Sequence, residues 1–239
     1  MMDEYKIYIG YDGREADAFA VARHSINRRL TLPIQCHGIV LSDLRKRGLY
    51  LRQTLYQDGG LWDTISGAPM STEFAISRFF TPLLAARGWA LFLDCDFLVR
   101  TNLCRLFEAL DPQYAVYCVK HDHVPTGITK MDGQTQTKYP CKNWSSFMIF
   151  NCEHKKNKAL TVEMLNKLPG RDLHRFCWLD DEDIAALGPE WNYLVGYNNR
   201  EQVPDPMCVH FTHGVPTMPG YEDTEFAEEW RDELEDWAR

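Results

Sequence analysis

Five consecutive apolar residues, Trp89-Ala90-Leu91-Phe92-Leu93, run directly into Asp94-Cys95-Asp96. A short apolar run closed by polar residues reads as a β-strand covered on both faces. Such a strand belongs to a sheet with helices on either side, so the run predicts an α/β architecture. Residues two apart in a strand point the same way, which puts Asp94 and Asp96 on one side of the chain. Open α/β sheets bind their ligands beyond the carboxyl ends of the strands. Two carboxylates sharing one side of that edge are costly to bury unpaired. A divalent cation is the simplest partner, and oxygen ligands favour manganese or magnesium over softer metals.

The chain before this run reads as a β-loop-α-β unit. Lys6 to Gly10 is strand-like and breaks at Tyr11-Asp12-Gly13, Ala16 to Leu30 has helical spacing, and Ile34 to Leu41 is a second strand. Helices are then predicted over 44–56, ending at Asp58-Gly59-Gly60, and over 73–87, kinked at Pro82 and stopped by Gly88. Further strands are expected over 114–119, 146–151 and 207–211. Further helices are expected over 157–168, over 181–187 with acids in its first turn, and over 225–237. The last is acidic, with Phe226, Trp230, Leu234 and Trp237 along one stripe. The result is one α/β domain over residues 1–239, with a mixed, mainly parallel sheet and an acidic C-terminal helix at about 222–239.

Charge and composition narrow the function. Hydrophobic types make up 45 % of the 239 residues, enough for one large core. A formal net charge of -8 argues against nucleic acid and against anionic lipid surfaces as partners. No apolar run approaches the ~20 residues of a membrane span. The start, MMDEYKIYIG, does not read as a secretory signal. None of the eight cysteines forms a C-x-x-C pair, so they are expected as reduced thiols in a cytoplasmic protein rather than as zinc ligands. Oligomeric state is left open.

Three further features bear on the site. Cys208-Val209-His210-Phe211-Thr212-His213-Gly214 places a histidine at the end of a late strand, and a neutral imidazole beside two carboxylates suits manganese. Asp181-Glu182-Asp183 is a second D-x-D, in a position where acids also stabilise a helix start. The polar stretch 121–143 carries His121 and His123, expected to face solvent, and is long enough to cover a site and help choose an acceptor.

Taken in order, these segments resemble the family 8 type of glycosyltransferase, which has a GT-A fold. The matching residues are Ile7 to Asp12, Ser77-Arg78, Leu91 to Asp96, Asn143 to Ser146, Asp181 to Asp183, and His210-Phe211-Thr212 with Gly214. The resemblance spans roughly Lys6 to Pro219. It implies that Asp94, Asp96 and His210 coordinate manganese, or magnesium in its place. It implies that Gly10, Tyr11 and Asp12 hold the base and ribose of a nucleotide-sugar donor, UDP-linked, with Cys95 in the same site. Arg78 would meet the first aspartate and the donor sugar. Asp181 and Glu182 would face the reacting carbon, as transient nucleophile or as stabiliser of a cationic centre. The loop with Thr212 and Gly214 would close over the diphosphate. The implied reaction is retaining transfer of a hexosyl or pentosyl group to a glycan or other hydroxyl acceptor. Two segments depart from the pattern: Gly214-Val215-Pro216-Thr217 lacks the usual phosphate-binding lysine, and Trp144-Ser145-Ser146 stands in place of Asn-Ala-Gly.

Three other readings compete. Aspartate-nucleophile phosphatases also open on a strand ending in D-x-D, but near the N-terminus and with different residues after the second acid. A non-catalytic sugar-nucleotide binder would keep the same donor site without turnover. Gly10-Tyr11-Asp12-Gly13 is not G-x-G-x-x-G, which removes the pyrophosphate cradle of a dinucleotide oxidoreductase.

Overall fold

The apolar run is a strand, and it lies near the middle of a six-stranded sheet. The computed structural model describes residues 4–57, 59–121 and 143–239. Tyr5–Tyr11 is β1, Cys36–Val40 is β2, Thr54–Gln57 is β3, Gly60–Asp63 is β4 and Ala68–Met70 is β5. Trp89–Leu93 is β6, Phe97–Val99 is β7, Val116–Val119 is β8 and Phe147–Asn151 is β9. Ile184–Leu187 is β10, Tyr193–Leu194 is β11 and Cys208–His210 is β12. The main sheet runs β10-β8-β9-β6-β1-β2. Pairs β1/β2, β1/β6 and β8/β10 are parallel, while β9 runs antiparallel between β6 and β8. This is the mixed, mainly parallel α/β sheet expected. Ala90 to Leu93 and Phe147 to Phe150 are fully buried, as strands covered on both faces must be.

Register sets where the site falls. Ile9 lies beside Leu93, and Leu93 beside Phe147, so β1 and β6 end together where β9 begins. Beyond Asp96 the chain turns back as β7, a strand absent from the sequence reading. It pairs antiparallel with β12, setting His210 opposite Phe97, and β12 pairs parallel with β11. A histidine 114 positions downstream of Asp96 is thereby folded onto the end of β6.

The helices are Ala16–Asn27 (α1), Leu41–Lys46 (α2), Thr81–Ala85 (α3), Cys104–Phe107 (α4), Lys155–Ala159 (α5), Val162–Lys167 (α6), Gly170–His174 (α7) and Ala227–Ala238 (α8). α8 packs on α1 and buries Trp230. Glu233 is also buried there, 3 % exposed, ion-paired to His24, Arg28 and Arg29. A stripe read as purely apolar therefore contains a buried acid. None of these helices is long and apolar enough to cross a membrane.

Four predicted helices differ. Residues 44–56 are not one helix: α2 ends at Lys46, and Thr54–Gln57 forms a hairpin with β4, using the positive φ of Gly59. Thr, Leu and Tyr before a glycine turn favour strand, and the buried Arg52–Asp63 pair anchors it. Over 73–87 only a 3-10 turn (Ser77–Phe80) and α3 form. Pro82 sits in the first turn of α3, where its missing N–H costs nothing, instead of kinking a longer helix. Gly88 does end the segment, and a side chain there would meet the Glu4 carbonyl at 2.2 Å. The 157–168 helix is split where Leu160 turns extended and Thr161 caps α6. Over 181–187 only Asp181–Asp183 is helical, as a 3-10 turn, and Ile184–Leu187 joins β8 as a strand. Residues 122–142, which include His123 and Cys141, lie outside the described residues.

Candidate active site

At the end of β6, Asp94, Asp96 and His210 each aim one ligand atom into a common space, all within 4.8 Å of one another. The imidazole Nε2 is 3.2 Å from Asp96 Oδ1. Its orientation is fixed twice over. The ring stacks on Phe97 with centroids 4.3 Å apart, and its Nδ1 lies 2.9 Å from Asn192 Oδ1. Asn192 donates its own Nδ2–H to Ser146 Oγ at 2.9 Å, so its oxygen faces the histidine and the Nδ1 must carry the proton. In the neutral ring Nε2 then presents a lone pair beside a carboxylate oxygen. Two acceptors 3.2 Å apart match neighbouring ligands of an octahedral ion, whose bonds of about 2.1 Å set cis oxygens or nitrogens about 3 Å apart. A protonated Nδ1 held by a buried acceptor is the usual support of a metal-binding histidine.

Charge around the pair is finely balanced. Arg78, buried beneath the site, ion-pairs with Asp94 Oδ1 at 2.8 Å and donates to the Ser145 carbonyl at 2.8 Å. Burial raises the Asp94 carboxyl above its ordinary range and the charge of Asp96 adds to this, while Arg78 opposes it. Glu15 approaches from the start of α1 and accepts the Cys95 thiol at 3.4 Å. Burial, with Asp96 adding, pushes its carboxyl up to about 7. Among the described residues, His121 Nε2 and Thr212 Oγ1 are buried without a hydrogen-bond partner, while Asp94 Oδ1 and Asp96 Oδ1 are buried with only Arg78 and His210 beside them. Native proteins leave few such atoms, and their presence here fits a site shaped for a polar or ionic ligand.

No protein-family model matches the chain. Its sequence is 44 % identical to Protein CDI of Arabidopsis thaliana, over an alignment of 239 positions covering 98 % of this chain and 88 % of the relative. The chain belongs to the Protein CDI family. Among solved structures it resembles the WbbM bifunctional glycosyltransferase at TM-score 0.65 and 16 % identity, over 96 % of this chain and 49 % of WbbM. It resembles the glycosyltransferase GlyE of Streptococcus pneumoniae TIGR4 at 0.60 and 17 %, over 98 % and 61 %. It also resembles galactosyltransferase LgtC, solved with donor and acceptor sugar analogues, at 0.59 and 15 %, over 97 % and 95 %. The chain thus spans about half of WbbM and nearly all of LgtC. At these identities the likeness shows the fold, which is the GT-A fold.

The Protein CDI-family chain brings most of the predicted residues to this one edge. Gly10 and Tyr11 end β1 beside Asp94. Gly10 is explained by packing, since a Cβ there would stand 2.4 Å from the Phe74 ring. Asp12 is fully buried. Its carboxylate accepts from the Arg14 backbone and guanidinium and from the Glu73 N–H, so it holds the loop and has little capacity left for a ribose. Cys95 points to Glu15, away from the ligand space of its neighbours. Phe211 N donates to the Asp96 carbonyl, which sets Thr212 at the site's rim, and Gly214 lies against the Tyr221 ring.

Asp181 and Glu182 are not brought in. Ile184 lies level with Val116, Phe150 and Ala90, so the Asp181–Asp183 turn sits at the amino ends of the parallel strands. Asp94 lies at the carboxyl ends, three strand spacings away, on the order of 20 Å in all. Lys156 secures the turn there by ion pairs to Asp180 and Asp183. Asp180 and Asp183 cap the turn, and Asp181 and Glu182, expected at the reacting carbon, lie with it at the far end of the sheet. His121, expected in solvent, is instead partly buried, and burial pushes its ring down to about 4. Sequence reasoning missed Asn192, Glu15 and His174. Of these only Glu15 carried a visible signal, an acid in the loop directly after β1.

Proposed function

We propose that this chain is a metal-dependent glycosyltransferase of the family 8 type. It would move a sugar from a UDP-linked donor to a hydroxyl of a glycan or small acceptor, with retention. The convergence of Asp94, Asp96 and His210 at the carboxyl end of β6, on a GT-A fold, carries this reading. These three residues would hold manganese or magnesium, which supplies Lewis-acid stabilisation of the departing diphosphate. Arg78 holds Asp94 in its ionised form and adds positive charge beneath the donor sugar. Asn192 keeps the His210 lone pair turned to the ion. Tyr11 and the Gly10 backbone form the wall nearest the nucleotide, and the Thr212–Gly214 rim supplies an unpartnered hydroxyl toward the phosphates.

Thermal unfolding with UDP, GDP, CMP and NAD, each with and without manganese, tests the proposal. A ligand at 100 times its Kd stabilises by about 2.7 kcal/mol, which for a domain of this size raises Tm by roughly 5–10 °C. UDP is expected to do so only with manganese, and in Asp96→Asn not at all. Release of UDP from a UDP-sugar separates a transferase from a silent binder. If no nucleotide shifts the wild-type midpoint in manganese, the donor site is wrongly assigned.

A further inference from the structure

One two-residue turn bonds to Arg78, Asp94 and Asn192 around the metal centre. The Ser145 carbonyl accepts from Arg78, the Ser146 carbonyl accepts from the Asp94 N–H at 3.0 Å, and Ser146 Oγ accepts from Asn192, which orients His210. This turn is the Trp144-Ser145-Ser146 segment that departs from the family 8 pattern. What holds the turn is a residue outside the ligand set. His174, the last residue of α7, places Nδ1 2.6 Å from Ser145 Oγ. Its ring lies edge-on to Phe79, with centroids 5.1 Å apart.

The Nδ1–Oγ hydrogen bond ties the Ser145 side chain to the imidazole. Burial and the charge of Arg78 push the ring down to about 3, so it stays neutral at working pH. α7 can come this close because it opens on Gly170, where a Cβ would stand 2.6 Å from Ile76 Cδ1. The imidazole therefore bridges Phe79, the residue after Arg78, and the turn that receives Arg78.

We propose that His174 is a positioning residue that fixes the Ser145-Ser146 turn, and through it Arg78 and Asp94, for binding of the metal ion and donor. The proposal rests on the metal-dependent transferase reading above. It gives the Ser-Ser departure a use, because an alanine at position 145 has no hydroxyl for an imidazole to clamp.

The test titrates manganese into the protein in excess UDP and reads free manganese by electron paramagnetic resonance. Wild type is compared with His174→Ala, His174→Asn and Ser145→Ala, and Tm is measured for each. Loss of a residue supporting metal ligands typically weakens binding 10- to 100-fold. Both alanine variants are expected to lose about tenfold in manganese affinity. His174→Asn, which keeps a hydrogen-bonding group where Nδ1 stood, is expected to recover most of it. Ser145→Ala removes one hydroxyl and keeps the carbonyl that receives Arg78, so it reports even if His174→Ala folds poorly. A purely structural His174 would lower Tm in folded variants and leave manganese affinity within twofold of wild type, and that result overturns the proposal. If wild type binds no manganese with UDP, the transferase reading itself fails and takes this inference with it.

Discussion

Asn192→Ala separates metal binding from folding more cleanly than removal of a ligand. Asn192 is fully buried; it bonds to His210 Nδ1 and to Ser146 Oγ, with a longer third contact of 3.5 Å to the Asn143 carbonyl. Its truncation removes two bonds worth about 1 kcal/mol each and leaves a buried N–H without an acceptor. The imidazole can answer by moving its proton to Nε2, which lies 3.2 Å from Asp96 Oδ1 and would then donate to it. That shift recovers about 1 kcal/mol in the metal-free protein, so the net loss of stability is about 1–2 kcal/mol. The same shift removes the lone pair that the ion needs. Manganese affinity should therefore fall 10- to 100-fold, or about 1.4–2.8 kcal/mol on top of the stability change. Asn192→Asp keeps an acceptor toward Nδ1 and should lose much less. Calorimetric titration of manganese with UDP, beside thermal unfolding without metal, reads the two effects separately. If Asn192→Ala binds manganese within twofold of wild type, the tautomer argument is wrong and His210 is not held as a ligand.

Four further outcomes are expected. Asp181→Asn and Glu182→Gln should leave turnover within twofold of wild type, because the turn sits at the far end of the sheet, and a hundredfold loss of kcat in either would refute that placement. Gly10→Ala should cost about 1–3 kcal/mol by overpacking against Phe74, and Phe74→Leu should relieve part of it in the double variant, as read by denaturant unfolding. Glu233→Ala should cost about 1–3 kcal/mol, less than a fully enclosed ion pair because its three partners are 25 % to 45 % exposed, and a change below 0.5 kcal/mol would show α8 to be held by Trp230 alone. Since the folded His174 ring titrates near 3 and an unfolded one near 6.5, the unfolded state binds the extra proton between these values. Stability should fall as pH drops through that window, by up to about 1.4 kcal/mol per unit, and His174→Asn should show a shallower fall in urea titrations at pH 4 to 7.

The sheet was legible because its strands carry their burial in their composition. Trp89–Leu93 and Phe147–Asn151 are apolar almost without interruption, and only a strand covered on both faces needs that. The helices were harder to read. Residues 181–187 and 44–56 have local preferences that suit a helix, yet Ile184–Leu187 gains a parallel neighbour in β8 and Thr54–Gln57 a hairpin partner in β4. Tertiary pairing outweighs propensities of a few tenths of a kcal/mol per residue. β7 escaped notice for a related reason. Phe97–Val99 is three residues long and becomes a strand only because β12 arrives from more than a hundred positions away.

The site divides along the same line. Asp94 and Asp96 announce themselves, since two acids closing an apolar strand have few other uses. His210 could be suspected, and its pairing with Asp96 could not, because β7 makes it. Asn192 and His174 gave no sign at all. An asparagine between Trp191 and Tyr193 and a histidine after a leucine look like any polar residues on a half-buried segment. Their importance lies in a direction: each offers one nitrogen or oxygen to a partner that the fold alone brings within 3 Å. Asp12 shows the converse. It occupies the position where a donor-binding acid is expected, and its four acceptor contacts are taken by Arg14 and Glu73 before any ligand arrives. Glu15, three residues on, keeps an oxygen turned toward Cys95 and the charge of Asp96. Spacing in a sequence identifies which acids stand near a site, and the hydrogen bonds already made decide which of them remain open to bind.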